Sequence, residues 1–475
     1  MIPVSPAIRH QDIPEIKPVQ PETDSLIPKW NWWVGFFILW ILIPYFAGVS
    51  WLCGLGLTVT LATLIIFAFR LGKSIPFLEF TAFWGGVQWV YAPWVCYREF
   101  GDNRFFGNMA VPEEYYMQIT VPAYLAFVAG IFLFGRKIRQ LPVFDLRDAR
   151  IVMYLCIWGA IGGILLSGVH SSLDSLSVCL RSFLLVAVLI QFYTSDKLIR
   201  YLWVLIYVGY VVIQGLYSSM FGEAVAPFLF LFLFLCFRMK VKHHIAFILV
   251  GLIVIGGLMC LDIKGEYRLQ APLATRRISG QVNLAARLLT NEIVSMDLSA
   301  LFTGPTVTNR LNQGALISEV YCYVDNTQLC YYGSTIVDSL LSVVLPQFLF
   351  PPKRRAGGGD NMVEMVGYRY MGASMNVSYV GEGYANFGRY GCACFTFFCG
   401  VLLGLAFRYT RFLISKWPFV FFFVPAIFGA AWIVEGDFMG LLNSMIKPAL
   451  LVVVSYYMLR KYLPSVRETM ERERQ

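Results

Sequence analysis

Long apolar runs alternate with short polar turns along almost the whole chain. Asn31 to Phe69 holds no Asp, Glu, Lys or Arg. At about 1.5 Å of rise per residue such a run crosses a membrane twice, with a turn near Gly48–Trp51. Further runs of spanning character fall at 75–96, 117–134, 151–169, 176–193, 199–217, 224–237, 245–261, 388–407, 417–434 and 441–459. The pattern predicts an all-α polytopic membrane protein of about twelve transmembrane helices. Between 262 and 387 the runs lapse, which predicts one long extracytoplasmic loop containing short interfacial helices. Ile336–Phe350 is apolar but holds Asp338 and Pro346, and reads as an interfacial or re-entrant helix. Residues 1–30 are polar and hold six prolines; they read as a tail without fixed structure.

Charge sets the expected orientation. One set of turns carries Arg70 and Lys73, then Arg136, Lys137, Arg139, Arg147 and Arg150, then Lys197 and Arg200, then Arg238, Lys240 and Lys242, then Arg408, Arg411 and Lys416. The opposite short turns are mostly acidic, with Glu99, Asp102, Glu113, Glu114, Asp174, Glu223 and Asp437. Cytoplasmic loops are the basic ones, so both termini are expected inside and the 262–387 stretch outside. The expected plan is a tail over 1–30, nine spans over 31–261, an outer loop and active-site lid over 262–387, three spans over 388–459 and a second cytoplasmic tail over 460–475.

Composition agrees: 58% of residues are hydrophobic and only 14% charged, against about 25% charged in a soluble domain. The net charge of +9 follows from these basic turns, and no nucleic-acid partner is expected. Most of the eleven cysteines lie in apolar runs and read as small hydrophobes. Cys322 and Cys330 lie in the long stretch, where they can either pair or remain thiols. The four histidines are His10, His170, His243 and His244. None lies in that stretch, which excludes Ser-His-Asp chemistry or a His-bound metal there. Walker, GxGxxG and HExxH motifs are absent.

Charged groups at membrane depth point to function by default. Arg181 and Lys447 lie inside predicted spans, both toward the outer side; Glu79, near an inner end, reads as structural. Lys264 and Arg268 sit four residues apart just beyond the 245–261 span, one helical face if that helix continues. That places two cations at head-group height, suited to a diphosphate. Glu382 lies between Gly381 and Gly383 at the outer mouth of the next span. A carboxylate on such a turn suits a general base toward a sugar hydroxyl, or a partner for Arg389.

The ordered segments IKGEYR (263–268), NRLNQG (309–314), YYGSTIVDSLLSVVLPQFLFPPKRR (331–355) and GEGYANFG (381–388) resemble bacterial O-antigen and exopolysaccharide repeat-unit polymerases of the Wzy-like family. VPEEYYMQITVPAYLAF (111–127) and EGDFMGLLNSMIKP (435–448) extend the resemblance. It departs at PQFLFPPKRR, where Arg354 follows the lysine. The resemblance implies a membrane glycosyltransferase without metal or other cofactor, working on lipid-linked oligosaccharide in the bilayer of the bacterial inner membrane. A sugar hydroxyl on one repeat unit would attack the anomeric carbon of another, releasing undecaprenyl diphosphate. Glu382 and Arg268 are the catalytic candidates it implies; Arg181, Lys264, Arg310, Lys353 and Lys447 are the substrate-binding ones. Tyr267, Tyr379 and Tyr384 offer faces for sugars or for core packing. A chain-length regulator and a flippase are the implied partners. Two alternatives are a lipid-linked glycan flippase or transporter and an O-antigen ligase, the latter disfavoured by the missing outer-loop histidine.

Overall fold

The computed structural model describes residues 30–100, 109–167, 169, 173–218, 221–270, 278–294, 302–304, 307–344, 359–368 and 376–459. Both expected tails and Lys353 lie outside these residues. Every described element is helical. In chain order these are α1 (Trp30–Ala47), α2 (Trp51–Arg70), α3 (Phe77–Gly86), a π-helical turn (Val87–Tyr91), α4 (Ala92–Phe100), α5 (Glu113–Phe134), α6 (Leu146–Leu166), α7 (Asp174–Arg181), α8 (Phe183–Thr194), α9 (Lys197–Ser218), α10 (Phe221–Met239) and α11 (His243–Gln270). Then follow α12 (Ile278–Val294), a second π turn (Val307–Leu311), α13 (Gly314–Thr327), α14 (Ser334–Val344), α15 (Gly359–Val366), α16 (Ser378–Lys416), α17 (Val420–Phe428) and α18 (Phe438–Leu459).

Among the described residues eight helical segments are long and apolar enough to cross a membrane: α2, α5, α6, Leu176–Thr194, α9, most of α11, α16 and α18. Twelve were expected. The 75–96 run forms a continuous helical stretch from Phe77 to Phe100 that carries the π turn inside it, with helical backbone at both junctions. The 417–434 run forms only the nine residues of α17 and then turns through Gly429 and Gly436. Helices α1 and α10 are apolar helices of 18 and 19 residues.

The central pair is α5 and α16. Thr396 Oγ1 donates to Ala123 O at 2.9 Å, and Arg389 Nη2 donates to Gln118 Oε1 at 2.6 Å. The constant offset between partners means that the two helices run parallel. Gly130 and Gly400 let them touch. A Cβ at Gly400 would overlap the Phe127 carbonyl, and one at Gly130 would collide with Phe397 O. In lipid no solvent-driven collapse holds helices together, so such close packing of small residues is the main attraction available. Every residue of α17 is buried, as suits a helix apolar all round. Phe77, Phe230, Phe407 and Phe428 pack as rings between these helices. Arg70 and Glu79 form an ion pair joining α2 to α3, which gives Glu79 the structural role expected of it.

The 262–387 stretch is more regular than a loop. Helix α11 runs on through IKGEYR to Gln270, so Lys264 and Arg268 do share one helical face. Helix α14 is inside out: Thr335, Ser339 and Ser342 are buried, while Val337, Leu340 and Leu341 are exposed. It packs along α18, and both start at one carboxylate, that of Glu382. The two therefore run side by side from a common level. With hydroxyls inward, and outward mostly apolar residues beside an exposed Asp338, the pattern suits a helix at the membrane interface. Cys322 and Cys330 are free thiols; the Cys330 Sγ donates to Asn386 O at 3.1 Å.

Candidate functional site

The start of α18 gathers three carboxylates around one tyrosine. Helix α16 is broken at Gly388, where φ is +67°. This break separates Ser378–Phe387 from the long remainder and tucks the short piece under the 429–437 turn. Ser378, itself at φ +67°, is held by donating its Oγ to Val434 O at 2.9 Å. Non-glycine residues in this region cost about 1–3 kcal/mol and persist only where surroundings over-determine them. Tyr379, buried beside Trp89 and Phe127, donates to Ile433 O at 3.1 Å. Glu382, Glu435 and Asp437 all lie in electrostatic range of Tyr379.

The three acids have different work. Glu382 is 1% exposed and lies in a helix, not on the turn that its flanking glycines suggested. Its Oε1 accepts from Thr335 Oγ1 at 2.9 Å and its Oε2 from the Phe438 backbone N–H at 2.7 Å. Arg389, the alternative partner weighed for it, pairs with Gln118 instead. Asp437, also 1% exposed, caps α18: its Oδ1 accepts from Gly440 N at 2.7 Å. These two carboxylates thus satisfy N–H groups that every helix start leaves open.

Glu435 differs. Its side chain is exposed, yet desolvation by the surrounding protein pushes its carboxyl up, with the Gln88 amide and the Lys264 charge acting the other way. Glu435 is thus the exposed member of a cluster whose other two acids are buried. Gln88 Nε2 lies 3.5 Å from its Oε2, at the outer limit of a hydrogen bond. Gln88 sits in the first π turn, is 2% exposed, and its Oε1 has no hydrogen-bond partner among the described residues. π turns inside helices recur at functional sites.

Around Glu382 the polar groups are closely matched. Asn386 Nδ2 donates to Thr335 Oγ1 at 2.7 Å and to Glu382 O at 2.8 Å. Its Oδ1 accepts from Gly333 N at 3.0 Å. Beside this network Tyr115 and Tyr384 donate to the two oxygens of Asp325 at 2.7 and 2.6 Å. Tyr384 is thus tied to its neighbours at 4% exposure, and Tyr379 and Tyr267 are buried; none of the three offers an open face to a sugar.

The sequence-derived cations divide into two groups. Lys264, half-buried on α11, is the cation in electrostatic range of Glu435. Arg268 is exposed one turn farther along. Arg310 falls in the second π turn, which packs between α4 and α11 through Val307 and Leu311; its side chain lies outside the described residues. Arg181 closes α7, and Lys447 lies in α18 within electrostatic range of Cys179 on α7. Helix α7 touches α18, so Arg181 and Lys447 belong to neighbouring elements. Near them Ser342 Oγ, Asn443 Oδ1 and Arg181 Nε are buried without hydrogen-bond partners among the described residues.

Glu435, Gln88 and Asn386 were not singled out from sequence. Glu435 stood inside the EGDF run, one acid among many. Gln88 and Asn386 are uncharged amides in apolar helices, and their isolation there is the signal that was available. No protein-family model matches this chain, and neither a curated protein nor a solved structure does.

Proposed function

We propose that this protein joins lipid-diphosphate-linked oligosaccharide repeat units into polysaccharide at the outer side of the bacterial cytoplasmic membrane. The observation that carries this reading is the acid cluster at the start of α18, where an exposed carboxylate, Glu435, feels the charge of Lys264 on the extended end of α11. Glycosyl transfer from a lipid diphosphate needs those two charges close together. A carboxylate takes the proton of the attacking hydroxyl, and a cation stabilises the diphosphate as negative charge develops on it. Arg268, one turn beyond Lys264, supplies a second donor at the same helix end, and a planar guanidinium grips phosphate oxygens in pairs. Arg181 and Lys447 form a deeper cationic pair suited to a lipid phosphate. Glu382 holds the frame: it ties α14 and α18 together within the acid cluster.

In this reading the acid cluster faces outward, both termini are cytoplasmic, and the polymer grows in concert with a flippase and a chain-length regulator. The test is the glycan ladder of a deletion strain. The proposal expects single repeat units on the lipid carrier at the outer face, and restoration of the ladder by the plasmid-borne gene. Carrier-linked units accumulating only on the cytoplasmic side would assign a flippase instead. A normal polymer that fails only to reach its final acceptor would assign a ligase.

A further inference from the structure

Three acids meet at the start of α18, and their hydrogen bonds and exposure distinguish them. Both oxygens of Glu382 are engaged, by Thr335 and by the Phe438 N–H. Asp437 is buried and caps its own helix. A group that accepts a proton from a substrate needs an accessible oxygen within about 2.6–3.2 Å of the substrate hydroxyl. Glu435 is the exposed one of the three.

Its surroundings point to a ligand. Gln88 is 2% exposed, and its carbonyl oxygen has no hydrogen-bond partner among the described residues. A buried amide oxygen left open is unfavourable, and a ligand hydroxyl beside Glu435 would satisfy it. Gln88 sits in the π turn with its Nε2 3.5 Å from Glu435 Oε2, so its amide lies beside the exposed carboxylate.

We infer that Glu435 is the catalytic base of the transfer and that Gln88 Oε1 receives a hydroxyl of the acceptor sugar beside it. The inference rests on the polymerase reading and deepens it. In the step, the acceptor O–H bond breaks as its oxygen bonds to the anomeric carbon of the donor sugar. The bond from that carbon to the diphosphate oxygen breaks, and its electron pair leaves on the lipid diphosphate. The proton passes to the Glu435 carboxylate and from there to water. No oxidant, reductant or further reactant is required. Lys264, the cation whose charge reaches Glu435, serves in this step to stabilise the leaving diphosphate.

The experiment uses the full-length protein in liposomes, with lipid-linked repeat units extracted from the deletion strain. Chain extension, binding of those units and thermal melting are measured for wild type, E435Q, E435D and Q88A. E435Q is expected to lose extension by about 100-fold or more, the usual contribution of a positioned base, while binding the units within about threefold of wild type. E435D is expected to extend at a reduced rate with a displaced acid limb in its pH profile. Extension by E435Q within a few-fold of wild type would overturn the inference while leaving the polymerase reading intact. So would loss of binding in parallel with loss of extension. Should E435Q fail to fold, E435D decides, and an unchanged pH profile there would count against Glu435. Failure of the wild-type protein itself to extend the units would remove the polymerase reading and this inference with it.

Discussion

Glu382 is the acid the sequence marks most clearly, and its geometry predicts that its loss damages the fold before the chemistry. Replacing it by Ala removes two charge-assisted hydrogen bonds at 1% exposure, one from Thr335 and one from the Phe438 N–H. Each is worth about 1.5–3 kcal/mol, and each deletion strands a buried donor. The combined cost is about 3–5 kcal/mol, in the range for breaking a buried charged contact from one side. Glu382→Gln is milder but not neutral. Its amide oxygen can still accept from Phe438 N, but its NH2 then faces Thr335 Oγ1. That oxygen already accepts from Asn386 Nδ2, and the Thr335 hydroxyl proton loses its acceptor. One lost bond of about 1–2 kcal/mol follows. Thermal melting of the purified protein in detergent should therefore rank wild type above E382Q and E382Q above E382A, with the glycan ladder weakening in the same order. An E382A protein that melts like wild type would refute this account of the network. If such a protein also lacked all extension, Glu382 would regain a direct part in the reaction.

Further expectations concern other parts of the molecule. Because burial raises the Glu435 carboxyl, the folded state binds that proton more tightly than the unfolded chain. Its stabilising contribution is then full below the ordinary glutamate range and lost as pH rises through the raised value. E435Q should accordingly melt at or above wild type near neutral pH, with the gap closing on acidification; a gap of opposite sign would refute the assignment of desolvation as the dominant cause. Gly400→Leu forces α5 and α16 apart where a Cβ already overlaps Phe127 O, and should cost about 1–3 kcal/mol or more, read as reduced folded protein in the membrane. Gln328→Cys, at the exposed turn between α13 and α14, should gain labelling by a membrane-impermeant maleimide in intact cells. Labelling only after permeabilisation would invert the proposed orientation.

Much of the scaffold was legible in the sequence because a bilayer permits few solutions: apolar runs of span length must be helical. The shared face of Lys264 and Arg268 follows from their spacing once α11 continues, and a helix near 336–350 from its apolar run; Glu79 reads as structural or interfacial, without its partner Arg70. The failures have a common origin. Hydropathy does not register a π turn, so nothing in 75–96 marks the bulge at Val87–Tyr91 that the helix carries. Nor does it show that Gly388 breaks α16 in place of the Gly381–Gly383 pair, and so Glu382 reads as a residue on a turn. Tertiary partners decide which of several acids is sealed and which is open. Glu382 looks catalytic from its glycine neighbours, yet Thr335, 47 residues away, and Phe438, 56 residues away, close off both its oxygens.

The two cation groups provide one more test of how the site is divided. Helix α18 rises about 13 Å between Phe438 and Lys447 at 1.5 Å per residue, while Glu435 lies in the turn before it. The positive charge in range of Glu435 belongs to Lys264; the charge of Lys447 registers at Cys179 on α7. In a displacement the attacking and leaving oxygens share one carbon, so base and diphosphate must sit within a few ångströms of each other. Of the two cations, Lys264 is the one whose charge reaches Glu435. In the proposed function Lys447, with Arg181 on the adjoining helix, holds a phosphate deeper in the bilayer, before or after the bond changes. Lys264→Ala should then slow the chemical step itself, lowering single-turnover extension by about tenfold to a hundredfold, since a cation at the developing charge acts chiefly in the transition state. Lys447→Ala should leave single-turnover extension of bound units near wild type and reduce repeated rounds. Equal single-turnover losses in both variants would mean that the two cations serve one phosphate position. The separation along α18 would then have to be bridged by a movement of α7 or α11 that brings Lys447 and Lys264 together.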